Sequence, residues 1–240
     1  LIDIGQNEAL PGGRSELEAN AGDNFRKAVA LARPAALASA ARKGAATMVS
    51  LAKGQSIRLE KSGGGTLTRV TMGLGWDVRK AKGLLGMFGG GGGDIDLDAS
   101  CLLFDSSRQV LDAIWFQQLR SQDGSIIHTG DNRTGAGDGD DEQIIVDLSA
   151  VPAQVQSLVF TVNSFTGETF DKIENAYCRL VDAANGSEMA RYDLTGAGSH
   201  TGQVMAKVTR SGGGWEMKAL GEKTYGRTFH DILPAILNHL

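Results

Sequence analysis

Two short acidic windows hold the residues of this chain best suited to chemistry. Gly130-Asp131-Asn132-Arg133-Thr134-Gly135-Ala136-Gly137-Asp138-Gly139-Asp140-Asp141-Glu142 packs five carboxylates, one amide side chain and four glycines into thirteen residues. Upstream, Asp94-Ile95-Asp96-Leu97-Asp98 adds three acids in five positions. Brought together without a cation, such groups repel one another by on the order of several kcal/mol. Hard oxygen donors on a glycine-bent backbone are the ligand set of Ca²⁺, which takes about six to eight oxygens in flexible geometry. The strand period of two places Asp94, Asp96 and Asp98 on one face and Ile95, Leu97 and Ala99 on the other. The glycines let the loop turn sharply, so main-chain carbonyls can join the side chains. The candidate metal ligands are Asp94, Asp96 and Asp98 on the strand and Asp131, Asn132, Gly135, Asp138, Asp140, Asp141 and Glu142 in the loop. Asp77 joins them if its strand end faces the loop; otherwise it caps a turn. Eight carboxylates exceed what one site uses, so two Ca²⁺ ions are expected.

Other cation motifs fail on spacing. An EF-hand loop beginning at Asp131 needs acids at its third and fifth positions and glycine at its sixth. Arg133, Gly135 and Ala136 stand there, although Glu142 does fall at the twelfth. The glycine-rich nonapeptide of β-solenoids is echoed once, by Gly137-Asp138-Gly139-Asp140, and a solenoid needs several copies. A metal-dependent hydrolase or phosphoryl-transfer enzyme is the alternative use of paired carboxylates. Against it, His128, His200, His230 and His239 are scattered, and only His128 lies near the acidic loop, where it is expected as a turn or strand-edge residue. No GxxxxGK[ST] motif occurs, and the glycine run 89–93 leads into a strand, so no helix N-terminus stands behind it to bind phosphate. No enzymatic activity is expected.

The acidity is local. The two windows carry eight acids and one arginine against a net charge of −4 for all 240 residues, so the rest of the chain is net positive. Nothing in that balance suggests a nucleic-acid partner. Cys101 and Cys178 each sit inside an apolar run and read as small buried hydrophobes, without the spacing of a metal or redox motif. A hydrophobic content of 41% suffices for a core, but no apolar run is long enough to span a bilayer and no signal peptide is visible. A cytoplasmic location is expected.

The elements that must position these residues are mostly strands. Alternation begins at Met48, after which segments near 55–60, 66–72, 96–104, 110–116, 142–148, 156–163, 176–183, 188–194, 203–210 and 214–220 predict about ten mostly antiparallel strands in an all-β sandwich. Residues 1–46 differ: rich in alanine and charge, they predict an N-terminal extension with short helices near 24–33 and 34–43. Residues 47–240 form the expected sandwich domain. Phe170 to Asn175 suggests one helical turn. At the C-terminus Phe229, Ile232, Leu233, Ile236, Leu237 and Leu240 follow helical spacing, predicting an amphipathic helix over the sandwich, with Pro234 as a kink or a late start. Lys80 to Phe88, followed by five glycines, reads as an insertion folded onto the body or, given Leu84, Leu85, Met87 and Phe88, as a contact with a membrane surface or partner.

Several segments together resemble the tellurium-resistance TerD family. They are Met72-Gly73-Leu74-Gly75-Trp76-Asp77, Ile95 to Ser100, Asp123 to Thr129, Gly130 to Glu142, Ile144 to Pro152, Asn175 to Asp182 and Ala190 to Leu194. The resemblance covers about residues 48–222, and the glycine-rich insertion is similar to the longer, TerX-like branch. It implies a bacterial, intracellular Ca²⁺-binding β-sandwich linked to tellurite resistance and stress response. The implied role is structural, sensing or scaffolding, with other stress or tellurium-resistance proteins as partners, at the membrane surface included. The oligomeric state is left open. One departure is Ala136, where the family usually carries Glu; a side-chain ligand there would be lost, a carbonyl ligand would not.

Overall fold

A computed structural model describes residues 49–61, 64–78, 95–133, 139–193 and 198–240, all within one unit, Gly44–Leu240. The chain runs through β1 (Val49–Ser50), β2 (Ser56–Arg58), β3 (Arg69–Val78), β4 (Leu97–Phe104), β5 (Val110–Ile114), β6 (Ile126–His128), β7 (Glu142–Asp147) and β8 (Ser157–Ser164). It continues through β9 (Ile173–Asp182), β10 (Ser187–Asp193), β11 (Gly202–Ser211), β12 (Gly214–Thr224) and the short helix α1 (Leu233–Leu237). These twelve strands form two six-stranded sheets, ordered β1-β10-β9-β3-β7-β6 and β2-β12-β11-β8-β4-β5. Every described pairing is antiparallel except β1 with β10. The expected β-sandwich is therefore present. The two strands beyond the expected ten, β1 and β6, have two and three residues, too few to show an alternating pattern. The helical turn expected near 170 is a 3₁₀ turn at Phe170–Lys172. The N-terminal helices and the 80–93 insertion lie outside the described residues.

The first sheet alternates along β7 and from Ala176 onward in β9, with register shifts between Gly75 and Asp77 and between Glu188 and Ala190. Met72, Leu74 and Trp76 of β3, Ile144 and Val146 of β7, and Cys178 and Leu180 of β9 point into the core between the sheets. Their neighbours Gly73, Gly75, Gln143, Tyr177 and Arg179 fall on the opposite parity and face out. The second sheet breaks the pattern. Every residue of β4 and β8 is buried. Leu97, Ala99, Cys101 and Leu103 join the core between the sheets, while Leu102, Phe104 and Val159 enter a second apolar cluster with Val204 and Leu220. That second cluster is closed by Phe229, Ile232 and Ile236, so the C-terminal segment covers the outer face of the sheet as expected.

The helix itself is shorter than its pattern. Only Leu233–Leu237 is α-helical, with Pro234 in the first turn. Proline lacks the N–H that an interior helical position needs and is tolerated where the first turn leaves that group unpaired, so the helix starts late rather than kinking. Phe229 and Ile232 reach the same apolar cluster from the turns before it. Among the described residues no helix is long and apolar enough to cross a membrane.

Ile236 is fully buried in this second cluster. Its replacement by Ala should therefore lower the unfolding free energy by about 2–5 kcal/mol in a denaturant titration. A change below about 0.5 kcal/mol, as expected for a surface position, would mean that the segment does not pack there.

Candidate metal centre

The start of β4, the end of β6 and the start of β7 meet at one end of the sandwich, and this is what assembles the site. On β4, Leu97, Ala99 and Cys101 turn into the core between the sheets, so Asp98 projects the other way, with Asp96 on the same parity just before the strand. β5 pairs with β4 only from Cys101 onward. The β4 edge is thereby open at Ala99, whose N–H donates instead to Glu142 Oε2 at 2.8 Å. Glu142 is completely buried, as the first inward residue of β7. Its other oxygen accepts from the Asn132 N–H at 3.2 Å. One carboxylate thus joins the two sheets and also holds the first arm of the acidic loop.

Asp96, Asp98 and Asp131 each offer an oxygen, and these atoms lie within 4.8 Å of one another. Asp96 and Asp98 are only 6% and 4% exposed, whereas Asp131 is open to solvent. Asp96 Oδ1 and Asp98 Oδ2 are buried and have no hydrogen-bond partner among the described residues. Among the described residues Arg133 is the cation paired with Asp96, its Nε 4.0 Å away and its side chain largely exposed. Burial pushes the Asp98 carboxyl up to about 8, with Glu142, Asp96 and Asp131 adding to the shift. Burial raises Asp96 to about 6, with the negative charges of Asp131 and Glu142 adding and Arg133 opposing. Two carboxylic acids so displaced, each with a bare oxygen and both within reach of a third, fit a hard cation that would replace their protons.

The other predicted ligands are placed less uniformly. Asn132 adjoins the group: its Nδ2 donates to Asp141 Oδ1 at 2.9 Å. Asp141 Oδ2 accepts from the Trp76 N–H at 2.9 Å, and the Asp141 N–H returns to Leu74 O at 2.8 Å. Burial holds the Asp141 carboxyl above its usual range, against that Trp76 bond. Asp140 is engaged elsewhere, by Arg179 at 2.7 and 3.2 Å. Asp77 is exposed and accepts from Asn175 Nδ2 at 2.8 Å. Asp94, Gly135, Asp138 and Ala136 lie outside the described residues.

Sequence reasoning did not find the supporting residues. His128 is expected at a turn or strand edge; it does lie on the edge strand β6, yet it is buried, with Nδ1 accepting from the Gly130 N–H at 3.1 Å and Nε2 3.5 Å from Glu142. An Nδ1 that accepts leaves the ring proton on Nε2, facing the carboxylate. Trp76 contributes its backbone N–H, and its indole donates to Ile95 O at 3.1 Å, tying β3 to the segment that carries Asp96. A main-chain donor has no sequence signature, and β6 is too short to give His128 a face.

A family of known proteins shares this chain's pattern. The TerD domain model matches residues 47–233. The chain belongs to the TerD family. It is 52% identical to the tellurium resistance protein TerZ of Serratia marcescens over 185 residues, covering 77% of this chain and 95% of that one. It is 42% identical to the tellurium resistance protein TerX of the same organism, over 75% of this chain and 95% of that protein. It is also 41% identical to the stress response protein SCP2 of Bacillus subtilis (strain 168), over 77% of this chain and 97% of that protein. In three dimensions it is similar to a homologue of telluride resistance protein (TerD) from Streptomyces coelicolor A3(2), with a TM-score of 0.56 at 20% identity, over 67% of this chain and 92% of that chain. That likeness shows that the TerD-family sandwich is kept at low identity.

The raised carboxyls give this TerD-family chain a pH signature. Asp98 holds its proton to about 8 when folded but releases it near 3.8 when unfolded, so between those values the native state binds more protons. Stability of chelator-treated protein must then fall as pH rises through that window. Burial holds His200 and His239 below 6.5; they oppose the trend only up to about that pH, so the window above it reports on Asp98. Melts of metal-free protein from about pH 6.5 to 8 should show a declining midpoint, and Asp98→Asn should flatten the decline. A rising midpoint would contradict the buried, protonated Asp98.

Proposed function

We propose that this chain is a Ca²⁺-binding, non-enzymatic module of the bacterial tellurium-resistance and stress response, acting in the cytoplasm as a structural, sensing or scaffold component. The observation that carries the proposal is the pair of buried, partnerless oxygens, Asp96 Oδ1 and Asp98 Oδ2, beside Asp131. All three donors are hard carboxylate oxygens, with no cysteine or histidine in the group, which favours Ca²⁺ or Mg²⁺ over Zn²⁺. Irregular loop backbone beside them suits the larger, more flexible coordination of Ca²⁺. A bound cation supplies positive charge that lets both buried carboxyls ionise and ties the loop to β4. The count of two ions rests on the number of acids in the sequence, three of whose candidate donors (Asp94, Gly135 and Asp138) lie outside the described residues.

Two features support a role without catalysis. His128, an acid–base candidate beside the acidic loop, is buried, with Nδ1 taken by the Gly130 N–H and Nε2 closed off from solvent 3.5 Å from Glu142. Thiol chemistry on tellurite is no better served: Cys101 and Cys178 are free and buried, and burial pushes both thiols well above the usual range. A reactive cysteine needs exposure and a lowered pKa. Relatives named for tellurium resistance and for stress response support partners drawn from those systems.

Calorimetric titration with Ca²⁺ tests the proposal directly, because it reports stoichiometry and affinity together. Ca²⁺ should bind, and free Ca²⁺ at about 100 times the dissociation constant should stabilise the fold by about 2.7 kcal/mol per ion, seen as a higher melting temperature. Identical melts with chelator and with Ca²⁺ would sink the idea. A dissociation constant of about 10⁻⁷–10⁻⁵ M would mark a sensor, and a tighter one a permanent staple.

A further inference from the structure

Asp140 lies in the densest run of acids in the chain, yet its surroundings are those of an anchor. Arg179 Nε donates to Oδ1 at 2.7 Å and Nη2 to Oδ2 at 3.2 Å, a two-point contact. Gln143 Nε2 donates to Oδ2 at 3.0 Å. The Tyr177 hydroxyl lies 3.1 Å from Oδ1 and donates to the neighbouring Gly139 carbonyl at 2.8 Å. The clamp has its own support. Arg179 Nη1 reaches Glu188 at 3.2 Å, Glu188 is held again by Arg191 at 2.7 and 3.0 Å, and the Arg191 guanidinium lies 4.0 Å over the Tyr177 ring.

The sheet is shaped for this contact. A Cβ on Gly73 would sit 2.2 Å from Asp140 Oδ2, and one on Gly75 would sit 2.6 Å from the Tyr177 ring. Two glycines at strand period on the outer face of β3 thus open the space that Asp140 and Tyr177 fill. Neither glycine has positive φ, so close approach is what requires them.

Asp140 is followed directly by Asp141 and Glu142. Through Asn132 Nδ2 and the Asn132 N–H, those two residues hold the other arm of the loop, beside Asp131. A mechanical path therefore runs from Arg179 through Asp140 to Asn132 and Asp131.

We propose that Asp140 is not a metal ligand but the fixed point of the metal loop, pinned by the positioning residue Arg179 so that Asp131 is presented to Asp96 and Asp98. The proposal rests on the Ca²⁺ reading above and goes beyond it by dividing the acidic run into residues that face the ion and one that holds the loop. A guanidinium that neutralises Asp140 also removes one repelling charge from the carboxylates nearby. Lysine cannot copy the clamp, since an ammonium lacks the planar fork that meets both oxygens.

The test compares wild type, Asp140→Asn, Arg179→Met, Arg179→Lys and Gly73→Ala by Ca²⁺ calorimetry. Each variant should keep the wild-type stoichiometry while its dissociation constant rises about tenfold or more, the size usual for residues that orient ligands. The double variant Asp140→Asn/Arg179→Met should be no weaker than the worse single one. Loss of a bound ion in Asp140→Asn would make Asp140 a ligand and overturn the proposal; so would unchanged affinity in all four variants. Wild type that binds no Ca²⁺ would overturn the preceding reading instead, and hydrogen exchange then judges the clamp by itself. In Arg179→Met the Asp141 and Asn132 amides should lose protection while those of β8 and β11 keep theirs. Unchanged protection at Asp141 and Asn132 would refute the clamp.

Discussion

Burying negative charge at one end of a β-sandwich is the constraint to which the rest of this site answers. Asp96, Asp98 and Glu142 are all withdrawn from water within reach of one another. Isolated carboxylates cannot stay ionised in such a place; they take a proton, a hydrogen-bond donor or a cation. Each here has a different answer. Glu142 receives two backbone N–H groups. Asp140, two residues before Glu142, receives a guanidinium. Asp96 and Asp98 keep bare oxygens and hold protons well above the normal carboxylate range. Proton affinity and the capacity to hold a cation are then two views of one electrostatic balance.

That balance depends on how the sheets end. The β4 edge lacks a strand partner at Ala99, because β5 begins to pair only at Cys101. A buried N–H without a partner is costly, and Glu142 from the opposite sheet meets the need. The same carboxylate that completes β4 lies beside the acidic cluster, so the join between sheets and the candidate metal centre share an atom group. The full burial of β4 follows from cover on both faces, by the first sheet on one side and by the C-terminal segment on the other. Such a strand holds Asp98 more firmly than a loop would.

Much of the fold was legible because strands with one wet face alternate. Val70 and Met72 against Arg69 and Thr71 read correctly from the chain alone, although β3 runs on to Val78 past the expected end at 72; at Pro234 the late start, one of the two expected outcomes, is the one found. β1 and β6 were not legible, being too short to carry a period. The length of the terminal helix was misjudged because Phe229, Ile232 and Ile236 keep helical spacing while only Leu233–Leu237 is helical; spacing records which residues are buried, not the hydrogen bonds between them. In the site, Asp96, Asp98 and Asp131 come together. The roles of Arg179 and Tyr177 had no sequence signal, since they lie about forty residues from Asp140 and meet it only across β3.

By itself the sequence determined the family, the sandwich and the chemistry of the donors, because side-chain type and strand parity are local properties. Only the tertiary structure decided what each acid does. Asp98, Asp140 and Glu142 are near-identical groups, and what separates them is the neighbour that arrives from elsewhere in the chain: none among the described residues for Asp98 Oδ2, a guanidinium for Asp140, the Ala99 N–H for Glu142. A carboxylate's protonation, and its availability to a cation, are set by burial and by the charges and donors within a few ångströms, and those distances exist only once the sheets have packed.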